Sequence, residues 1–370
     1  MEKQKQQIKK EIPFINKLIP VLLIVPIVIA AIIITLIQLN KVGDNATVAT
    51  VNGEPIVVAE LKLEMQSERS SVITYFQQKY NAVVDKKFWT TEFDGQTPTD
   101  YLKNTALEKL KRIKTEQILA RDNGVVPDIS YSYFLKEFAA ENQKRSEAVK
   151  NGQPIYGVEQ FNESTYFTDY HSKMIIDVKT ELSKEGKELA SDKAILKAHY
   201  EATKEKLYKK TDIYVLKSYA YDYRIDGKET NVTEAQGKER LVKVLELVKQ
   251  NKSDDEIKAK FPGIRIMGLD LSEENASSAS KTNPIMVGKA KELSAGQISD
   301  IFIEQNSGQS SVILMKCFSK KPGGYKPFDE IESACKMDYE SVYYEKLIDK
   351  LTPQSKLVTI DKVLKKVKID

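Results

Sequence analysis

Histidine and cysteine are almost missing: the 370 residues hold two of each. Two cysteines, Cys317 and Cys335, cannot staple a small disulfide scaffold or furnish a cysteine-based zinc finger. His171 and His199 stand far apart, with no H-E-x-x-H arrangement, which argues against a histidine-rich metal site. No nucleotide-binding motif occurs either, so neither a metal nor another cofactor is expected. The chain also lacks an excess of one charge where that would matter. Its net charge is +4, but residues 1–17 carry five Lys against two Glu, and residues 41–370 hold 52 basic and 51 acidic side chains. A nucleic-acid binder keeps a basic excess in its folded part, so no nucleic-acid partner is expected. With 41% apolar and 30% charged residues the chain is too apolar for disorder, and its length suits two or three domains.

One segment has no charge at all. Residues 18–39 read LIPVLLIVPIVIAAIIITLIQL, about 33 Å of helix, enough for a hydrocarbon core of about 30 Å. A cleaved signal peptide would have a shorter apolar run and a small-residue cleavage site, and here Gln38-Leu39-Asn40-Lys41 follows instead. The segment is therefore expected to be an uncleaved transmembrane anchor. Lys3, Lys5, Lys9, Lys10 and Lys17 precede it, placing the N-terminus in the cytoplasm and the rest of the chain outside.

The outer part opens with VATVNGEPIV, an alternating strand broken by the turn pair Asn52-Gly53. From Val58 the spacing of Leu61, Met65, Val72 and Phe76 predicts a helix. A second helix starts at Thr97-Pro98, with Asp100 completing a capping-box-like spacing. Its stripe is Leu102, Ala106, Leu110 and Ile113, and Asn123-Gly124 stops it. Further helices are predicted over 129–149 and 166–182, and over a segment capped by Ser191 that runs to about Lys209. DIYVLKSYAYDY (212–223) then predicts a strand. Helices over 233–250 and 254–261 and strands over 264–271 and 310–318 follow, with a Ser/Asn-rich loop at 272–283. A helix over 328–351 and an alternating strand over 356–360 close the chain.

Three stretches resemble the SurA/PrsA group of extracytoplasmic foldases, which carry a PpiC (parvulin-type) domain. VATVNGEPIVVAELKLEM is similar to the group's opening strand, turn and helix. SDKAILKAHYEATKEKLYKKTDIYVL is similar to its lead-in to the parvulin strand, and ELSAGQISDIFIEQNSGQSSVILMKCFSKK to the parvulin closing segment. The resemblance implies an α+β fold: a transmembrane helix, then a mainly helical chaperone module with an inserted parvulin-like α+β domain. The boundaries that follow are a basic tail at 1–17, the anchor at 18–39, helical module at 45–209, parvulin-like domain at 210–322 and a completing helix and strand at 325–370. The opening and closing strands should pair.

The resemblance also implies a site, and the chain departs from it. Parvulins lower an isomerisation barrier of about 18–20 kcal/mol in a pocket with two histidines and Met/Phe walls. No histidine occurs after His199. The empty positions fall near Tyr214, Ser218 and Ser311, so no catalytic residue is named; Met286 matches the pocket methionine, and Met286 and Tyr214 are the substrate-binding candidates. His199 is expected to be a packed histidine, and Cys317 and Cys335 two separate buried thiols. Tyr131/Tyr133 and Tyr219/Tyr221/Tyr223 fit either a cradle for unfolded chains or amphipathic packing. The expected function is a membrane-anchored chaperone for unfolded or newly exported polypeptides, with an inactive parvulin-like domain. The alternatives are a prolyl isomerase using Tyr214 or Ser311, and a cell-surface adaptor.

Overall fold

In the computed structural model residues 42–306 and 308–369 are described. The expected basic tail at 1–17 and anchor at 18–39 lie outside them; among the described residues no helix is long and apolar enough to cross a membrane. The chain divides into two compact units, one running to Ala190 and resuming at Glu340, the other Ser191–Tyr339.

In the first unit, β1 (Thr47–Val51) pairs antiparallel with β2 (Glu54–Val57) through Asn52-Gly53. Both turn residues have positive φ, 51° and 91°, as a two-residue hairpin of this kind requires. α1 (Val58–Tyr80) buries Leu61, Met65, Val72 and Phe76, the positions its spacing predicts. α2 (Pro98–Asp122) starts as its sequence demands: the Thr97 hydroxyl accepts the Asp100 N–H at 3.1 Å, and proline takes the first turn, where no N–H partner is needed. Leu102, Ala106 and Leu110 join the α1 stripe in one core with β1 and β2, while Ile113 is only partly buried at its edge. α3 (Tyr131–Lys150) is capped by Ser130 and α4 (Glu163–Leu182) by Asn162, a turn earlier than the apolar pattern of 166–182 indicates. Polar first-turn residues carry no periodic signal, so the cap decides the start. Tyr131, Phe134 and Tyr166 cluster where α3 meets α4.

The second unit opens with α5 (Lys193–Leu207). Its cap is Asp192 rather than the expected Ser191, because one carboxylate oxygen accepts both the Ala194 and Ile195 N–H groups, at 2.9 and 2.8 Å. There follow β3 (Ile213–Ile225), β4 (Lys228–Glu229), α6 (Glu234–Lys249), α7 (Asp254–Lys260), β5 (Arg265–Leu271), α8 (Ala276–Thr282), α9 (Pro284–Glu292), β6 (Phe302–Asn306), β7 (Gln309–Lys321) and α10 (Phe328–Gln354). The strands make an antiparallel sheet in the order β5-β3-β7-β6, with β4 on the end of β3. The expected loop at 272–283 contains α8. Serine is a poor helix former, but Asn275 bonds the Ser272 N–H and the Asp270 carbonyl, and Ala276 packs inward. β6 and α9 were not predicted either.

The middle of β3, from Ser218 to Tyr221, is buried on both faces. Tyr214, Leu216 and Ala220 meet Ile313, Met315 and Cys317 of β7 beneath Val287 and Ala290 of α9. Tyr219 and Tyr221 meet Val312 and Leu314 beneath Leu241, Val244 and Val248 of α6. Two of the tyrosines weighed as a client cradle are thus core residues. Two connections run side by side below the sheet: the Lys210 N–H donates to the Gly324 carbonyl at 2.9 Å and the Lys326 N–H to the Tyr208 carbonyl at 2.8 Å.

α10 has a non-helical residue, Ile331, in its first turn, and its residues from Glu340 belong to the first unit. The chain then enters β8 (Leu357–Thr359), which pairs antiparallel with β1 through Ala49↔Thr359 and Val51↔Leu357. The pairing of opening and closing strands is as expected. A last turn, α11 (Asp361–Leu364), follows.

Candidate functional site

Tyr214, Ser218 and Ser311, the positions singled out around the vacant histidine places, fall on one face of the second unit's sheet, the face that α9 with Met286 covers. Tyr214 is 3% exposed and shares an apolar cluster with Leu216, Phe302 and Met315, against which Met286 of α9 is partly buried. Tyr214 and Met286 therefore stand in one cluster. Ser218 is two pleats along β3, nearly buried, and its hydroxyl donates to the Met267 carbonyl at 3.3 Å. Ser311 lies further along, on β7.

Around Ser311 the sheet carries a polar row that spacing did not announce. Asp222 on β3 accepts from Arg265 Nε at 3.0 Å and Nη2 at 2.7 Å, and from the Ser311 hydroxyl at 2.6 Å. Arg265 Nη2 also donates to Ser311 Oγ at 3.2 Å, and its Nη1 meets the Met267 sulfur at 3.1 Å. Opposite Ser311 in register stands Glu304 of β6, which is 3% exposed. One of its carboxylate oxygens accepts the Met286 N–H in the first turn of α9, where the helix dipole favours an anion. Its other oxygen is buried without a hydrogen-bond partner. The available signal was a charged residue at an inward position of an apolar strand: Asp222 follows Ala220 on the same face. Chemically the row is committed to itself. The Ser311 proton is directed at Asp222, and both partners are held by Arg265.

Burial by itself would raise the Asp222 carboxyl, but the Arg265 guanidinium and the Ser311 hydroxyl outweigh it and hold the group below its ordinary value. The stabilisation is present above the unfolded value near 3.8 and is lost as pH falls through the lower folded value. Asp222→Asn is therefore expected to destabilise the sheet by about 1–3 kcal/mol at pH 7. The difference from the unaltered protein should shrink below about pH 4. Urea unfolding followed by circular dichroism at a series of pH values checks this; a difference independent of pH would contradict it.

The histidines lie elsewhere. His199 Nε2 is 2.6 Å from Asp338 Oδ2, and its ring sits edge-on to Tyr339, which makes it a packed residue. His171 Nε2 is 2.9 Å from Glu116 Oε2 in the first unit. Cys317 and Cys335 are both buried and free, and burial pushes both thiols up. Among the described residues no group of three or more His, Cys, Asp or Glu is arranged to hold a metal ion.

A pocket of about 680 Å³ lies in the first unit, a size that takes several side chains of a ligand. One wall is the start of α1, with Ala59, Lys62, Leu63 and Gln66; the facing wall is Tyr131 and Glu163 at the starts of α3 and α4. Lys62 pairs with Asp44 at 3.0 Å, and the Tyr131 hydroxyl donates to the Glu163 carboxylate. Burial first, then that carboxylate, pushes the Tyr131 phenol far above its usual range. The lining is thus apolar stems and one ring, Tyr131, edged by charged groups: Lys62 is matched by Asp44, the Arg69 guanidinium lies over the Trp89 ring at 5.2 Å, and Lys368 adds a further cation. Of the sequence candidates, only Tyr131 lies here.

No family model matches the chain. A protein of Bifidobacterium longum subsp. longum described as a chaperone for lacto-N-biosidase is 25% identical over 104 residues, which are 28% of this chain. The chain spans 37% of the length of that curated relative. A chain from the structure of two related SurA-like chaperones of Campylobacter jejuni is 16% identical with a TM-score of 0.30, covering 85% of this chain and 99% of its own. The foldase PrsA of Lactococcus lactis is 14% identical with a TM-score of 0.25, covering 85% of this chain and 95% of its own. The chain is similar to chaperones and foldases of this kind.

Proposed function

We propose that the chain is a membrane-anchored extracytoplasmic chaperone that shields apolar stretches of exported polypeptides, and that its sheet-bearing unit has no isomerase activity. The observation that carries this is the pocket between the starts of α1 and of α3 and α4. Tyr131 and the aliphatic stems of the lining offer contact to apolar side chains, while Gln66, Asn162 and Ser164 offer hydrogen bonds to a peptide backbone. Such a surface binds weakly and broadly, and a client leaves it without energy input. The inactive sheet is supported by the absence of histidine from 200–370, by Tyr214 lying in the core and by the Ser311 hydroxyl being held by Asp222. The anchor is residues 18–39, with the lysine-rich tail in the cytoplasm.

The full chain should slow the aggregation of several unrelated denatured clients at near-stoichiometric amounts. It should leave the cis–trans rate of a proline peptide at its spontaneous value, tens to hundreds of seconds at 25 °C. Acceleration of that peptide, lost on Ser311→Ala, would replace this function with a prolyl isomerase. Protection of one client only would favour a dedicated partner protein, which is how the curated relative is described.

A further inference from the structure

The sheet of the second unit is only partly covered on the face that carries Tyr219 and Tyr221. Along β3, Tyr214 and Leu216 point into the cluster under α9, so Ile213, Val215 and Lys217 project from the other face. That end is left open to solvent among the described residues: Ile213 and Val215 are 46% and 42% exposed, and Phe318 on β7 is 47% exposed. The Phe318 ring is bracketed by two cations, with Lys217 Nζ 5.5 Å and Lys316 Nζ 5.3 Å from its centroid. A hollow of about 320 Å³ adjoins the ring, floored by Tyr219 and Val248.

The two cations differ in one respect. Lys217 has a carboxylate, Asp254, at 2.8 Å, whereas Lys316 reaches only neutral oxygens, Asn251 Oδ1 at 2.6 Å and the Val248 carbonyl at 3.4 Å. The other charges of the hollow are Asp255 and Lys252, the latter paired with Glu256 at 3.0 Å. An apolar strip with a single ammonium lacking a carboxylate, set directly beside an exposed ring, matches one kind of ligand group: a large apolar side chain adjacent to a carboxylate.

We propose that this strip docks an extended polypeptide segment in which an acidic residue neighbours a large apolar one. The apolar side chain lies on Phe318 and Val215, and the carboxylate meets Lys316. This surface lies in the other unit from the pocket of the proposed function and does not depend on it.

The test uses the purified full chain and two labelled eight-residue peptides, one alternating Leu and Trp with Asp and Glu, the other with Lys at every acidic position. Fluorescence anisotropy should show saturable binding of the acidic peptide, weakened by rising salt, and much weaker binding of the basic one. Phe318→Ser should weaken the acidic peptide about tenfold. Lys316→Glu should weaken it as well and admit the basic peptide. Both substitutions are at a surface, so an unchanged circular dichroism melting curve verifies folding. Client protection should be unaltered in both variants, which separates this surface from the pocket. Equal binding of the two peptides, or binding indifferent to Phe318→Ser, would overturn the proposal. So would concentration-dependent dimerisation abolished by Phe318→Ser, which would assign the strip to a second copy of the chain.

Discussion

Lys114→Ala is expected to cost the first unit about 3–5 kcal/mol, enough to unfold much of it under mild stress. Lys114 is 1% exposed, and its Nζ lies 3.0 Å from Glu60 Oε1 and 3.3 Å from the Ile129 carbonyl. Glu60 is itself buried, and its other oxygen accepts the Val57 N–H at 2.9 Å where β2 turns into α1. Removing the lysine leaves an uncompensated carboxylate in the interior and a cavity beside it. A surface ion pair would be worth at most about 1 kcal/mol, so burial decides the size of the effect. Pairing Lys114→Met with Glu60→Gln should recover much of the loss, because neither partner is then an unmatched charge. Urea unfolding read by tryptophan emission, excited beyond the tyrosine absorption, follows this unit alone, since Trp89 is the one tryptophan of the chain and packs against its core. A loss below about 1 kcal/mol would show that water reaches Glu60.

The second large effect is expected at Gly323, where the two connections below the sheet run side by side. A Cβ there would stand 2.1 Å from the Thr211 carbonyl oxygen and 2.7 Å from its carbon. The obstacle is backbone, which no rotamer change relieves. That backbone is held in turn: the Lys210 N–H donates to Gly324, the Gly323 N–H to Asp212 Oδ1 at 3.3 Å, and the Thr211 N–H to Glu273 at 2.9 Å. Gly323→Ala should therefore separate the two connections and cost about 3 kcal/mol, the upper end of overpacking. Hydrogen exchange of the β3 and β7 amides should rise accordingly. Gly324→Ala makes the control. Its φ of 73° is strained for alanine, but no atom lies within 4 Å, so only about 1–2 kcal/mol is expected. If the two variants cost the same, backbone conformation rather than close approach governs this junction.

Much of the architecture was legible because it depends on neighbours in the chain. The hairpin at Asn52-Gly53, the cap at Thr97-Pro98 and the stripe Leu61–Phe76 are local devices, and each appears where its residues stand. The pairing of the first and last strands was anticipated from alternation and resemblance, and the register Val51↔Leu357 carries it. The polar row, β6 and α8 were not legible. A serine-rich segment becomes helical only when its alanines find the sheet, and a five-residue strand forms only when β7 is present to pair with it.

By itself the sequence determined the residue inventory: balanced charge outside the N-terminal tail, an uncharged run at 18–39, and no histidine after position 199. It also set the helix starts at Thr97, Ser130 and Asn162, since their capping depends on groups within three residues. Tertiary structure alone decided what each polar side chain in the sheet is for. Ser311 looked like a free hydroxyl in a vacant position, yet Asp222 and Arg265, 89 and 46 residues away, take it up. Tyr219 and Tyr221 looked equally able to face a client, and α6 covers both. The reason is physical: a strand's alternation separates its two faces, but which face is buried, and by what, depends on contacts between segments far apart in the chain.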